Sequence, residues 1–147
     1  MSQHTARLSW SGSTADTYLP HARGHGDGKP EVALSPTSAY GGDDARWNPE
    51  ELLAMSLGYC HLLTFLSLAR KFGLDVRGYD DAAVATLATV DKVTQVTKIR
   101  LAPTIRVAGG DEAKVREAFA KAHKYCFIGN SVRCEVELAP TVELIAP

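Results

Sequence analysis

The sequence has few cysteines and almost no net charge, and each of these absences excludes a class of protein. Its 147 residues include only three cysteines, too few and odd in number for the disulfide framework of a small secreted domain. The net charge is −1, and no basic run is present, so we expect no nucleic-acid partner and no membrane-surface partner. The opening residues MSQHTARLSW lack the apolar core of a signal peptide, and a cytoplasmic location is the expectation.

The length and composition are those of one globular domain. The chain is 45% hydrophobic and 22% charged, which is enough apolar material for a buried core. It contains no internal repeat, linker or low-complexity segment. We therefore expect a single domain over residues 1–147.

The longest apolar segment, residues 48–71, predicts a helix with well-defined ends. Asn48 is a favourable N-cap, Pro49 occupies the first helical position, and Glu51 completes a capping box. Gly73 follows the helix and can end it.

The apolar character of this helix predicts burial on most sides. Residues 52–69 carry no formal charge if the histidine is neutral, and their 18 positions reach the lower limit for a membrane span. Polar residues such as Ser56, His61 and Thr64 argue against a span. In a chain of this size, uniform burial predicts that a second copy of the protein covers part of the helix.

Short strands and a loop are predicted before the helix. Residues 4–10, 15–19 and 31–35 have weak strand character. Residues 20–30, PHARGHGDGKP, contain three glycines and two prolines, a composition typical of a loop.

After the helix, residues 76–90 and 93–107 predict two long antiparallel strands that turn near Asp91 and form one wet face. Pro103 predicts a strand edge or a bulge at its position. A second helix is predicted over residues 112–125, and a last strand over 133–138. The fold class is therefore α+β.

The apolar stripe of the second helix continues onto Cys126, while Cys60 lies in the middle of the first helix. Each cysteine alone is explained by packing as a small hydrophobe, and Cys134, on the apolar face of the last predicted strand, is most simply explained in this way. If the two helices pack together, Cys60 and Cys126 meet and can form a reversible disulfide. A mid-helix thiol gains little from the helix dipole, so its activation requires a cation from elsewhere.

Two motifs, NPEELLAMSLGYC and AHKYCFIGNSV, make the chain similar to the OsmC/Ohr family of thiol-dependent peroxidases, in its OsmC-like branch. The resemblance covers essentially the whole chain. It implies an intertwined homodimer in which long central helices pack against outer antiparallel sheets. It also implies that Cys60 is the peroxidatic thiol and that Cys126 is the resolving thiol.

The resemblance further implies an arginine–glutamate pair that activates Cys60. Glu50 matches the glutamate, and Arg23 matches the arginine of the Ohr-like arrangement; Arg46 is an alternative, because the matching OsmC-branch position is Ala39. Glu50 lies ten residues before Cys60, about 15 Å along one helix. It therefore acts indirectly or from the partner subunit, which predicts active sites at a dimer interface.

The implied activity is reduction of organic hydroperoxides without a cofactor or metal, reset by a dithiol reductant (a lipoyl protein, thioredoxin or a small thiol). The alternative is a non-catalytic module that binds an apolar ligand in the dimer cleft. Two weaker alternatives use His123: a cysteine hydrolase without an oxyanion-hole motif, and a metal site with Cys60 and Cys126 at spacings that match no standard zinc pattern. His61 is expected to be a packed or hydrogen-bonded histidine.

Overall fold

The computed structural model describes residues 1–15 and 20–147, which form two compact units, residues 1–52 and 53–147. Helix α1, Pro49–Lys71, begins in the first unit and continues into the second. The chain has the predicted α+β composition, with two long helices and nine strands in the described residues.

The first unit contains a small antiparallel sheet. Its strands are β1 (Arg7–Ser9), β2 (Ala22–His25) and β3 (Val32–Leu34), in the order β1-β2-β3. Of the predicted strand at 15–19, residues 16–19 lie outside the described residues, and Ala15 belongs to no strand.

Strand β2 contradicts the prediction of a loop throughout residues 20–30. A Cβ atom on Gly24 would lie 3.3 Å from the Leu34 side chain, so this glycine lets the central strand lie close to β3. The segment Ala-Arg-Gly-His has weak strand propensity, and pairing on both sides, which a local pattern does not reveal, makes it a strand.

The predicted start of α1 is confirmed in detail. The Asn48 side-chain oxygen accepts a hydrogen bond from the Glu51 amide at 2.8 Å, and the Asn48 amide donates to the Glu51 carboxylate at 3.2 Å. This reciprocal pair is the predicted capping box and satisfies two amides at the start of the helix.

The second unit contains two three-stranded sheets. Their strand orders are β4-β7-β9 and β5-β6-β8. The strands are β4 (Val76–Asp80), β5 (Val84–Val90), β6 (Val93–Leu101), β7 (Thr104–Ala108), β8 (Glu135–Leu138) and β9 (Thr141–Ile145). Strands β8 and β9 pair in parallel with β6 and β7, so both sheets are mixed, and β9 was not predicted from the sequence.

The prediction of two continuous long strands is wrong, because each is broken once. Between β6 and β7 lie Ala102 and the buried Pro103, which has no amide hydrogen for a ladder. The freed Ala102 amide donates to the Asp81 carboxylate at 3.0 Å, and Asp81 itself lies in the break between β4 and β5. The predicted hairpin turn is confirmed: Asp91 and Lys92 have φ of 49° and 67°, as a two-residue turn requires.

Helix α2 spans Glu112–Tyr125, as predicted, and the Asp111 side chain accepts a hydrogen bond from the Ala113 amide at 2.8 Å. Its apolar stripe packs into a core shared with one face of α1 and with the inner strand residues. The α1 members of that core are Ala54, Leu57, Phe65 and Ala69; those of α2 are Val115, Ala118, Phe119 and Ala122.

The opposite face of α1 is apolar but uncovered. The exposed fractions of Met55, Tyr59, Leu63 and Leu66 are 45%, 59%, 50% and 40%, and their spacing of four, four and three places them along one stripe. Burial on most sides is therefore not reached within one chain. By length and composition alone α1 is also a candidate membrane span, with 33% of its apolar window buried.

Candidate active site

The two helices bring the predicted thiols together. Cys60 is half-buried at the middle of α1, and Cys126 is completely buried at the C-terminal end of α2. The Cys60 thiol is close enough to raise the pKa of the Cys126 thiol, and both side chains pack in or against the same core. Both cysteines are free thiols in this structure.

The turn after α2 fixes the position of the Cys126 sulfur. The Gly129 amide donates a hydrogen bond to Cys126 Sγ at 3.2 Å. A Cβ atom on Gly129 would lie 3.3 Å from both Cβ and Sγ of Cys126, so glycine permits this close approach.

The carbonyl groups at the end of α2 are also satisfied within this turn. The Asn130 side-chain amide donates to the carbonyl oxygens of Lys124 at 3.1 Å and Cys126 at 2.9 Å. Residues 127–131 therefore form a hydrogen-bonded turn that caps α2 and holds the Cys126 thiol.

The surroundings of Cys126 favour its protonated form. Burial raises the pKa of the Cys126 thiol, the Gly129 and Ile128 amides oppose that rise, and the hydrogen bond and charge of Cys60 raise the pKa further. A buried thiol with a raised pKa is a poor first nucleophile but keeps its proton until an oxidised partner is available.

The surroundings of Cys60 offer no comparable backbone donor to the sulfur. The thiol lies within an unbroken helix whose amides are used by the helix itself. Thr64, one turn later, donates its hydroxyl to the Cys60 carbonyl at 3.0 Å, a bond to the backbone and not to the sulfur.

A cleft of about 430 Å³ lies between α1 and α2, beginning at Thr64, one helical turn after Cys60. Its lining includes Thr64, Ser67 and Lys71 of α1 together with Lys121 and Tyr125 of α2. Positions 60, 64, 67 and 71 follow one helical face, so the cleft extends along the helix from the neighbourhood of the thiol.

The predicted activating residues lie in the first unit, and their partners there are known. Arg23 is part of β2 and forms an ion pair with Glu31 at 3.1 Å, while Arg46 pairs with Asp43 at 3.4 Å. Glu50 is half-buried in the first turn of α1. Neither of these two ion pairs involves Glu50, so activation of Cys60 by Arg23 or Arg46 stays a prediction.

Two histidines are near the thiols in sequence: His61 follows Cys60, and His123 precedes Cys126 by three residues. The His61 ring is completely buried and packs edge-on against Phe119, with ring centroids 4.4 Å apart. Burial lowers the pKa of His61 to about 4, and interaction with His123 on α2 contributes to this shift. Packing of His61 was predicted, but in the described part of the chain neither of its ring nitrogens has a hydrogen-bond partner of good geometry.

The third thiol, Cys134, is half-buried and lines a different cavity of about 430 Å³. Leu53, Val96 and Arg133 also line that cavity.

Among residues 1–15 and 20–147, no group of three or more His, Cys, Asp or Glu side chains is arranged to hold a metal ion. The metal-site alternative therefore gains no support.

The family model and the solved structures that match this chain indicate the same protein family. The model of the OsmC-like protein family matches residues 41–140. An OsmC-like protein of unknown function from Vibrio cholerae has a similar structure, with a TM-score of 0.85 and 31% identity, covering 99% of this chain and 100% of that one. No significant match was found among curated proteins.

Two more distant structures share the fold. An organic hydroperoxide resistance protein OsmC from Legionella pneumophila is 20% identical with a TM-score of 0.68, covering 97% of this chain and 99% of that one. An organic hydroperoxide resistance protein from Elizabethkingia anophelis is 16% identical with a TM-score of 0.70, covering 98% and 99%.

Proposed function

This chain belongs to the OsmC-like protein family, and from that premise we propose that it is a cysteine-based peroxidase that reduces organic hydroperoxides. The observation that carries the proposal is the proximity of the Cys60 and Cys126 thiols, which lie on two helices that pack in one core. The names of the Legionella and Elizabethkingia structures support the substrate class.

In the proposed first step, the Cys60 thiolate attacks the terminal oxygen of the hydroperoxide. The O–O bond breaks, the alcohol leaves with a proton, and Cys60 becomes a sulfenic acid. Cys60 suits this role because it is the more accessible thiol of the pair and lies one helical turn before Thr64, which lines the cleft along α1. The apolar side chains around it on α1, such as Leu57 and Leu63, favour alkyl hydroperoxides over hydrogen peroxide.

In the proposed second step, Cys126 attacks the Cys60 sulfur. The S–O bond breaks, water leaves, and a Cys60–Cys126 disulfide forms. A dithiol reductant in a reducing cytoplasm, such as a lipoyl protein, thioredoxin or a small thiol, then restores both thiols and becomes a disulfide itself. Burial and the raised pKa of Cys126 suit a thiol that reacts only after Cys60.

We also propose that two copies of the chain form the working unit. The stripe of Met55, Tyr59, Leu63 and Leu66 on α1 is an apolar face of the kind that monomers rarely leave in water. A second copy can cover it with the same stripe, as a two-fold interface requires. Glu50, too far along α1 to contact Cys60 of its own chain, would then act across this interface.

The assembly is tested by sedimentation velocity of the wild type, Leu63→Asp and Leu144→Asp. The two leucines are 50% and 49% exposed, but Leu144 lies on β9. We expect dimers for the wild type and Leu144→Asp, and monomers for Leu63→Asp. A monomeric wild type with full activity, or its partition into lipid vesicles, contradicts the proposed dimer.

The activity is tested by following cumene or tert-butyl hydroperoxide consumption with a dithiol reductant. We expect Cys60→Ser to reduce consumption to the uncatalysed background, while Cys134→Ser retains it. Retained activity in Cys60→Ser rules the mechanism out. Equal reactivity of all three thiols toward a mild alkylating agent would instead favour the non-catalytic binding module.

A further inference from the structure

The cleft between α1 and α2 has a lining that combines positive charge with apolar surface. Its volume of about 430 Å³ is in the range of small-molecule sites. The residues around it come from the C-terminal parts of both helices and from the position that follows α1: Thr64, Ser67, Leu68, Lys71, Phe72, Lys121 and Tyr125. These include two lysines and three hydroxyl groups but no carboxylate, so the charge of the cleft suits an anion.

The two ammonium groups of this cleft carry uncompensated charge. Within residues 1–15 and 20–147, neither Lys71 nor Lys121 takes part in an ion pair. Lys121 Nζ lies 5.5 Å from the centroid of the Phe72 ring, a cation–π contact between two residues of the lining. One positive charge from each helix is therefore available to a ligand.

The helix dipoles explain only part of this arrangement. A cation suits the negative C-terminal end of a helix, and Lys71 lies in the last turn of α1. The corresponding cations in the last turn of α2 are His123 and Lys124. Lys121 precedes that turn, and its ammonium lies over Phe72 instead, so the dipole of α2 does not account for it.

Hydroxyl groups of the lining provide further hydrogen-bond donors. Thr64 already donates its hydroxyl to the Cys60 carbonyl. The hydroxyls of Ser67 and Tyr125 have no protein hydrogen-bond partner in the part of the chain that the structure describes. Both can therefore donate to the oxygen atoms of an anion.

A neighbouring cavity of about 310 Å³ has a different charge balance. It is lined by Phe72, Lys114 and Glu117, so its lining contains one positive and one negative side chain. An anion that entered this cavity would meet a carboxylate, whereas in the cleft between α1 and α2 it meets two lysines. Because the two cavities share Phe72, the neighbouring cavity offers a matched control.

We propose that the cleft between α1 and α2 binds an amphiphilic anion, a molecule that carries one carboxylate or phosphate group on an apolar body. Lys71 and Lys121 hold the anionic group through charge-assisted hydrogen bonds. The apolar body packs against Leu68 and the rings of Phe72 and Tyr125. A lysine is a point charge with rotatable donors, so it accepts either anionic group. The inference concerns binding alone and does not require peroxidase activity.

Isothermal titration calorimetry of the full chain, with four probes that have similar apolar chains, tests the ligand class. The probes are octyl phosphate, octanoate, octanol and octyltrimethylammonium, each below its micelle-forming concentration. We expect both anions to bind, and the neutral and cationic probes to bind about tenfold more weakly or less. A preference between the two anions identifies the group that the lysines recognise. Absence of anion binding, or equal binding of octanol, overturns the proposal.

The site is tested by removing one charge at a time. Lys71→Gln and Lys121→Gln should each weaken octyl phosphate binding about tenfold, because each removes one charge-assisted hydrogen bond. Lys114→Gln removes the same charge from α2 beside the neighbouring cavity, and it should change the Kd by less than about twofold. Far-UV circular dichroism verifies that each variant is folded. Unchanged binding in both cleft variants, or an equal loss in Lys114→Gln, overturns the proposal.

Hydroperoxide consumption, measured separately, distinguishes this inference from the proposed function. The titrations contain neither hydroperoxide nor reductant. Anion binding by a chain that consumes no hydroperoxide would overturn the proposed function alone, and consumption without anion binding would overturn the inference alone.

Discussion

The α1 side and the α2 side of the thiol pair provide opposite environments for the same chemical group. On α2, Cys126 follows the last helical turn, is fully buried, and receives a hydrogen bond from Gly129 at 3.2 Å. On α1, Cys60 is half-buried in the middle of a helix, where every nearby amide is already used. The donor belongs to the turn after α2, because amides inside a helix are used by the helix and its C-terminal end leaves carbonyl groups, not amides, unpaired.

The difference indicates where each thiol must obtain its reactivity. Cys126 can be positioned by local backbone alone, because the turn that follows it supplies the donor and the geometry. Cys60 requires side chains from elsewhere in the chain or from a partner subunit. The local contacts of Cys126 therefore come from the turn that follows it, through Gly129 and Asn130, whereas the proposed activation of Cys60 needs residues from distant segments.

The largest effect is expected on treatment with hydroperoxide, which should give different oxidation products in the wild type and in Cys126→Ser. With excess hydroperoxide, the wild type should lose two hydrogens by forming its disulfide, and Cys126→Ser should gain two oxygens as a sulfinic acid on Cys60. Intact-mass measurement distinguishes these products. A dithiol should then restore the wild type but not Cys126→Ser, and recovery of that variant would show that Cys126 has no resolving role.

A smaller effect is expected when the arginine that is proposed to activate Cys60 is replaced. Replacing an arginine that acts on the Cys60 thiolate should slow its alkylation by iodoacetamide about 100-fold at pH 7, and Cys126 should be unaffected. We expect this for Arg23→Ala and not for Arg46→Ala. The reverse result assigns the role to Arg46; no effect in either variant contradicts side-chain activation by these arginines.

The imidazole on the α1 side should make stability depend on pH. The pKa of His61 is lowered from 6.5 to about 4 in the folded chain, so the unfolded chain binds more protons between these values and stability falls as the pH falls through them. The free energy of unfolding should decrease by about 2 kcal/mol between pH 7 and pH 5 from this group.

Denaturant unfolding at both pH values measures that decrease. His61→Gln should remove most of it, and His4→Gln should leave it intact. If His61→Gln keeps the full pH dependence, the titrating group lies elsewhere.

The smallest effect is expected from Gly129→Ala, which changes only the turn after α2. In Gly129→Ala, the new Cβ lies 3.3 Å from the Cys126 sulfur, so the turn must shift by a few tenths of an ångström, at a cost of about 1 kcal/mol in stability. Disulfide formation should slow about fivefold, consistent with that cost, while Cys60 alkylation is unchanged. Gly26→Ala, which meets only the flexible Lys29 side chain, is the control.

Local chemistry made much of the fold predictable. The Asn48 capping box, the limits of α2 and the turn at Asp91 and Lys92 all depend on neighbouring residues, and all three are confirmed. Strand β2 and the breaks at Asp81 and Pro103 depend on pairing partners far along the chain, so their sequences alone gave no indication of the outcome.

In the candidate site, too, local features were predictable and features that depend on long-range packing were not. The approach of Cys60 and Cys126 was foreseeable because Cys126 continues the apolar stripe of α2 and Cys60 lies in the middle of an apolar helix that α2 was expected to pack against. The Gly129 donor was hidden, since a glycine in a turn has many common explanations. The contact between His61 and Phe119 was hidden because only the packing of α2 against α1 brings these two rings together.

The bond from Ala102 to Asp81 has a consequence for how the chain can vary in length. Both strand breaks meet at this bond, so β5 and β6 form an arm whose outer end is the turn at Asp91. Because β5 and β6 pair residue by residue, this hairpin can be lengthened or shortened only by matching insertions or deletions in both strands. An extra residue in one strand alone would turn its inward-facing side chains outward, and the outward-facing ones inward, along the rest of that strand. A β-bulge can absorb such a residue, and the register shift between Thr86 and Leu87 is one such irregularity.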